Sequence, residues 1–261
     1  MLQGFYSAAV GAQQQMNRLD VHANNISNVN TYGFKNQAPG FQALMYGMLD
    51  GIDGSTLPKG SGAQMAATTT DLADGPLEET GRDQDYAIVG SGFFALYEPE
   101  SGEVSFTRDG SFTVTSFQVP TEEDDGLSAD PVSSADDLPE QPQFRTAYYL
   151  TDGEGRQVLG TDGYPIEITD KGEAQPNIGV FDIQYLDGLE RVGSQRFVVT
   201  QKNGAVWISD AQVRRGFLES SNTDLATELT GVIEAQRSYS YILKMMTTAD
   251  EVETTINNLT N

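Results

Sequence analysis

His22 is the only histidine in this 261-residue sequence and there is no cysteine, so neither a Cys/His nucleophilic pair nor a multi-histidine zinc site can be assembled. A serine triad would have to recruit His22, which falls beside a helical apolar repeat rather than at a strand end. Gly90-Ser91-Gly92 has the glycine spacing of a nucleotide loop, but Phe93-Phe94 follow it and open a strand, not the helix that such a loop needs. Asp152-Gly153-Glu154-Gly155-Arg156 approaches a calcium loop, yet Arg156 falls where an oxygen ligand is wanted. Asp83 and Asp85 have the spacing of a glycosidase pair, although with 38 acids in the chain such pairs arise by chance. The residues therefore predict no catalytic group, no metal ligand and no cofactor: a protein that is not an enzyme.

Amides are concentrated in one place instead. The run Ala23-Asn24-Asn25-Ile26-Ser27-Asn28-Val29-Asn30-Thr31-Tyr32-Gly33-Phe34-Lys35 holds four asparagines whose side chains compete with a helix for backbone hydrogen bonds, and Gly33 can take φ > 0. Such a run stops a helix, and so many amides have a contact or a turn to serve. Before it, apolar residues fall at Leu2, Phe5, Ala9, Ala12, Met16, Leu19, Ala23 and Ile26 in alternating steps of three and four, a heptad seam that asks for a partner helix. Gly4 and Gly11 lie inside it, each costing about 1 kcal/mol relative to alanine, which leaves the helix marginal by itself. It reads either as an ordinary amphipathic helix packed on its own domain, or as one whose small residues permit close approach in a bundle of neighbours.

A second seam passes through Leu225, Leu229, Val232, Gln236, Tyr239, Leu243 and Met246, then shifts phase to Ala249, Val252, Ile256 and Leu259, with Ser221, Asn222, Thr223 and Asp224 as candidate caps. The two terminal helices are natural partners. The expected fold class is α+β: long N- and C-terminal helices pairing as a coiled coil or bundle, with a β-rich antiparallel middle domain. Four segments follow: 1–35, the N-terminal helix and amide-rich motif; 36–73, a connector in which Phe41, Leu44, Met45, Met48 and Leu49 allow a short apolar helix; 74–215, the β-rich middle; and 216–261, the C-terminal helix. In the middle, runs such as Tyr86-Ala87-Ile88-Val89 and Phe93-Phe94-Ala95-Leu96-Tyr97 are strand-like, and Phe106 and Phe112 flank Arg108-Asp109-Gly110 as a hairpin signal. Turn dipeptides through 144–215 argue an antiparallel barrel or sandwich. Residues 116–143 carry eight acids, four prolines and no Lys or Arg, the profile of a solvated insertion on a hairpin. Trp207, the only tryptophan, is expected in a core or in packing between subdomains.

With Lys+Arg 15 against Asp+Glu 38, the net charge of -23 offers no footprint for nucleic acid or an anionic membrane surface. No apolar run reaches the ~20 residues that span a bilayer, so membrane insertion is not expected. A basic n-region followed by an apolar h-region is also missing, which predicts a chain without a cleaved signal peptide.

The amide-rich run, Glu219-Ser220-Ser221-Asn222-Thr223-Asp224 and Glu234-Ala235-Gln236-Arg237-Ser238-Tyr239 together resemble the bacterial flagellar hook and basal-body rod family. The words Asp85-Tyr86-Ala87-Ile88, Gly92-Phe93-Phe94 and Thr107-Arg108-Asp109-Gly110 are similar to it as well, so the likeness takes in both ends and most of the middle. Thr223, where valine is usual, and Ile242, where asparagine is usual, depart from the pattern. Tyr32-Gly33-Phe34-Lys35 followed by Phe41 and Leu44-Met45-Tyr46 tilts the likeness toward distal over proximal rod members.

The resemblance implies a structural subunit of the extracytoplasmic basal body, exported unprocessed through the flagellum's own channel. Its partners would be copies of itself, in a helical homo-polymer, and other flagellar rod and hook subunits. Leu2, Phe5, Met16, Leu19, Leu225, Leu229, Val232 and Leu243 are then the residues expected to be buried. Asn24, Asn25, Asn28, Gly33, Phe34, Asn222, Gln236 and Arg237 are the family-like assembly positions. Other readings stay open: a proximal rod or hook-type axial subunit, a secreted β-domain that acts on or binds peptidoglycan, or a binding module trimerised through its heptads.

Overall fold

A computed structural model describes residues 2–44, 47–50, 56–60, 62–120, 144–168, 177–193 and 195–259, with the backbone alone for 2–4, 47–50, 56–59 and 120. The chain forms two units, residues 1–76 with 219–261 and residues 77–218, so it leaves the first unit once and returns once. N- and C-terminal helices with an antiparallel β-rich middle make the protein α+β.

The first unit holds α1 (Leu2–Ser27), β1 (Gln37–Ala43), β2 (Gly47–Asp50), β3 (Thr56–Lys59), β4 (Ala63–Thr70) and α2 (Leu225–Leu259). α1 ends where the asparagines begin to bond the backbone. The Asn28 amide is shared between the carbonyls of Asn24 and Asn25 at 3.2 Å each, and its side-chain Nδ2 donates to the Asn24 carbonyl at 2.8 Å. Gly33 then takes φ 67° and turns the chain. At the other end of the sequence Asp224 caps α2: its Oδ1 accepts from the Ala226 amide at 3.2 Å and its Oδ2 from the Thr227 hydroxyl at 2.5 Å. The Thr227 hydroxyl and these amides hold the Asp224 carboxyl below the usual carboxylate range. The 35 residues of α2 span about 52 Å.

The described residues between 37 and 70 form β-ribbon strands and not the loop with a short helix that the sequence predicts. β1 pairs antiparallel with β4 from Gln37↔Thr70 to Ala43↔Ala63, with a register shift at Gly40/Phe41, and β2 pairs with β3 further along. Pro39 and Pro58 deny a helix its donors, Gly47 interrupts the apolar cluster that Gly40 and Gly51 bracket, and Thr68, Thr69 and Thr70 favour the pleated partner strand. Met45 lies outside the described residues.

The second unit contains β5 (Leu77–Glu79), β6 (Tyr86–Val89), β7 (Phe93–Tyr97), β8 (Val104–Thr107), β9 (Thr113–Pro120), β10 (Phe144–Thr151), β11 (Gln157–Val158), β12 (Val180–Ile183), β13 (Glu190–Val192), β14 (Arg196–Val198), β15 (Val206–Ile208) and β16 (Gln212–Arg215), and β17 (Phe217–Glu219) leads out of it. A nine-stranded antiparallel sheet runs β13-β14-β8-β7-β11-β10-β9, with β12 bridging β7 and β15. Its core gathers Tyr86, Ile88, Phe94, Leu96, Phe112, Leu150, Val158, Ile178 and Val180.

The hairpin expected through Arg108-Asp109-Gly110 does not form: β8 pairs with β7 and β14, while β9 pairs with β10. The reason is burial. A Cβ on Gly110 would stand 1.7 Å from the Tyr86 carbonyl oxygen, so the backbones of 86 and 110 touch, and Tyr86 N donates to the Gly110 carbonyl at 3.0 Å. Buried Arg108 donates to the Gly90 carbonyl at 2.9 Å and lies over the Phe93 ring. Ser116–Pro120, expected in the acidic loop, continue strand β9 opposite Phe144–Tyr148. The acids from Glu122 to Glu140 lie outside the described residues. Trp207 is not in a core: it is 47% exposed, on β15.

Candidate functional site

The two terminal helices lie against each other in antiparallel sense, but the residues that close the seam are small and polar. His22 on α1 meets Glu228 on α2 with 2.6 Å between Nδ1 and Oε2, both side chains buried. Gly231 lets them approach, since a Cβ there would stand 2.5 Å from the His22 ring. Ala12 and Ala235 are buried, and Gly11 lies where an added Cβ would touch Ile242 at 3.5 Å. At the rim Arg18 pairs with Glu234 at 3.2 Å.

On α2 this seam sits one step round the helix from the apolar stripe in the sequence, on α1 it keeps Ala12 of that stripe, and most of the large stripe residues are left largely outside. Phe5, Met16, Leu225, Leu229 and Leu243, all expected to be buried, are between 40% and 47% exposed, and Leu19 and Val232 are half-buried. Leu2 opens α1, and its side chain lies outside the described residues. The burial expected for these side chains is thus not met within one chain: glycine and alanine let the backbones come closer than leucine could, and the His22–Glu228 pair fixes that rotation. A shallow groove of ≈ 650 Å³ on the surface of α2 is lined by Tyr241, Lys244, Met245, Thr248, Ala249 and Val252.

The amide-rich run serves an internal knot. Asn25, fully buried, exchanges two hydrogen bonds with Gln37, donating to its carbonyl at 2.8 Å and accepting from its amide at 3.0 Å. The Gly33 amide donates to the Glu219 carbonyl at 2.7 Å, and Phe34 beside it is fully buried. Lys35 Nζ donates to Glu219 Oε1 at 2.6 Å and to the Ala73 carbonyl at 2.7 Å, while the same Oε1 accepts from the Gly75 amide. Asn222 accepts from the Asn36 amide at 2.8 Å and donates to the Asp71 and Ala73 carbonyls. Asn25, Gly33, Phe34 and Asn222 are therefore brought together, Asn28 caps α1 nearby on the backbone carbonyl of Asn24, and Gln236 and Arg237 stand apart, exposed on α2. Sequence reasoning has Lys35 and Glu219 only as members of the two motifs and Glu228 only as an acid near the start of the C-terminal helix; it pairs none of them.

The residues screened for chemistry are occupied by structure. Asp152 accepts from the amides of Glu154 and Arg156, and Arg156 also binds Asp152 Oδ2 at 2.8 Å and the Glu154 carboxylate, which its guanidinium holds below the usual range. The oxygens of a would-be calcium loop are spent on an arginine. Buried Asp85 accepts from Thr80, whereas exposed Asp83 pairs with Arg215, so the two carboxylates share no site. Among the described residues no group of three or more His, Cys, Asp or Glu is placed to hold a metal ion, and no helix is long and apolar enough to cross a membrane.

Both halves of the helix pair match known families. Residues 5–35, from Phe5 through the knot lysine, match the family described as Flagella basal body rod protein, and residues 214–259 match Flagellar basal body rod FlgEFG protein C-terminal. The Flagellar basal-body rod protein FlgG of Agrobacterium fabrum is 30% identical over 94% of this chain and 94% of its own. The chain belongs to the flagellar basal-body rod protein family. It is a family of structural proteins rather than enzymes. FlgG of Bacillus subtilis is 28% identical over 99% of both chains, and the rod protein FlgF of Caulobacter vibrioides is 30% identical over 93% of both. The matched stretches at the two ends build the α1–α2 pair and the knot that joins them.

Proposed function

We propose that this protein is a structural subunit of the distal basal-body rod, building a helical tube from copies of itself and joining other flagellar rod and hook subunits at the ends. The observation that carries this is the division of labour on the helices. One chain satisfies the small and polar seam through His22, Glu228, Gly231 and Ala235, and leaves Phe5, Met16, Leu225, Leu229 and Leu243 in solvent. Completing the burial of each such half-exposed side chain contributes about 1 kcal/mol, a gain that neighbouring helices would supply. Heptad spacing on those outward faces suits coiled-coil packing between copies, and head-to-tail contacts that do not close give a filament. Of the assembly positions, the exposed apolar ones and Gln236 and Arg237 make contacts between copies, and the asparagines hold each copy in shape to do so. The four segments 1–35, 36–73, 74–215 and 216–261 serve as helix, ribbon, outer β-domain and helix, and export proceeds unprocessed through the flagellar channel into the extracytoplasmic basal body. The word Tyr32-Gly33-Phe34-Lys35 supports the distal over the proximal assignment.

Hydrogen exchange on the monomer and on polymer grown from it tests the reading. The amides of α1 and α2 are expected to exchange more slowly in polymer, while β6 and β7 change little. Polymer whose helices exchange as fast as in the monomer would overturn it.

A further inference from the structure

The unit 77–218 leaves a surface of its own unmatched. Among the described residues β15 hydrogen-bonds to β12 alone, across Ile183↔Val206, Asp182↔Trp207 and Phe181↔Ile208, so its second edge is open. Charged residues and proline are the common protections of an edge strand, and Val206-Trp207-Ile208 has neither. All three side chains are exposed, as are Tyr185 and Leu186. Trp207 and Asp182 stand directly opposite and so share a face, and Asp210 follows two residues after the strand. An indole face beside carboxylates is a receptor for a guanidinium, through cation–π attraction and charge together.

The complement is in the same unit. β16 pairs with β6 alone among the described residues, and it carries exposed Arg214 and Arg215. Arg82 adds a third guanidinium, its side chain 57% exposed, next to Asp83, which Arg215 binds through Oδ1 at 3.3 Å and through its carbonyl at 2.7 Å. On a chain of net charge -23, three arginines at one open edge, two of them paired with Asp85 and Asp83, still leave a local excess of positive charge, with Arg214 in no ion pair among the described residues.

We propose that the Trp207 face of β15 docks against the arginine-bearing β16 edge of a second copy of this chain. The contact is heterologous. A copy that offers β15 to one neighbour still has β16 to offer to the next, so copies join in a row. Two β15 faces cannot pair with each other, because Asp182 and Asp210 of each would meet like charge. The inference rests on the self-assembly proposed above and gives that assembly a second contact, outside the helices.

Trp207 is the sole tryptophan, so its emission reports this face and nothing else. In full-length protein at low salt, polymerisation is expected to move the emission to shorter wavelength. Asp182→Arg is expected to raise the critical concentration about tenfold, on the scale of one close charge pair, and Arg214→Asp in the neighbouring copy to restore it in a mixture of the two variants. If Arg214→Asp loses its fold because Arg214 stacks on Phe217 at 4.0 Å, Arg82→Asp takes its place. Polymer that forms with unchanged emission and is indifferent to Asp182→Arg overturns this contact and leaves helix-driven assembly standing. Polymer weakened by Asp182→Arg but not rescued by either arginine variant overturns the choice of occupant. A wild-type chain that stays monomeric at every concentration overturns the assembly reading, and this contact with it.

Discussion

Lys35 and Glu219 are 184 positions apart in sequence and 2.6 Å apart in the fold, with 1% and 2% of their side chains exposed. A pair so buried gains little over two apolar residues, but it makes the loss of one partner expensive. Glu219→Ala takes this counter-charge from the buried ammonium, which keeps its bond to the Ala73 carbonyl, and removes the acceptor of the Gly75 amide, so it is expected to cost about 3 kcal/mol in urea unfolding. The double change Lys35→Met with Glu219→Leu is expected to cost less than that single one, and equal losses would show that the ion pair is not what holds the knot. Asp109 is a pH-dependent case of the same kind. Burial pushes its carboxyl above the usual carboxylate range, and hydrogen bonds from Ser111 pull in the opposite direction. Its folded pKa therefore exceeds the unfolded value of about 3.9, so its contribution to stability is fully present below that pH and is lost as pH rises through the folded value. Asp109→Asn keeps an acceptor for the Ser111 amide without the charge. Its urea midpoint relative to wild type is expected to rise between pH 4 and pH 7, and a constant difference would refute the assignment.

At the scale of elements, the existence of α1 and α2 and the sites where they stop were legible, because heptad steps and a run of asparagines act locally. The face on which they meet was not. Counting apolar residues favours Leu225 and Leu229, whereas the fold uses Gly231 and Ala235, since close approach of two backbones depends on missing side chains that a hydrophobic pattern does not register. Gly231→Ala is accordingly expected to push His22 off Glu228 and to cost about 1–3 kcal/mol by thermal or urea unfolding, despite alanine's better helix propensity. A gain in stability would mean that the helices slide apart freely. The strands were legible for a similar reason: runs such as Phe93–Tyr97 are buried and β-rich wherever they pair. Their partners were not, as Arg108-Asp109-Gly110 shows. A dipeptide that favours a turn cannot reveal that Tyr86 will press on Gly110, and an aromatic such as Trp207 does not disclose whether its partner is in the same chain. In the candidate site the amide run was readable as a purposeful stop, but the ion pair beneath it joins residues too far apart in sequence for any local pattern.

For the whole molecule the question is which surface waits for another copy, and the unequal lengths of the helices give a direct test. Gly11 lies against Ile242, so in an antiparallel pair α1 runs out opposite roughly residue 251 of α2. Beyond that point Val252, Ile256 and Leu259 follow the 4,3 spacing of a seam, and all are exposed, Leu259 at 81%. With 43% or more of each residue still exposed, completing their burial under a neighbour would contribute about 1 kcal/mol each, and more for Leu259. A protein ending at Glu251 is expected to unfold within about 0.5 kcal/mol of the full chain as a monomer, and to fail to form polymer that sediments under conditions where the full chain does. The two measurements fail in different ways. Polymer from the shortened protein would move the assembly contact elsewhere on the helices, whereas a large loss of monomer stability would mean that the overhang packs on its own chain and was never offered to a second copy.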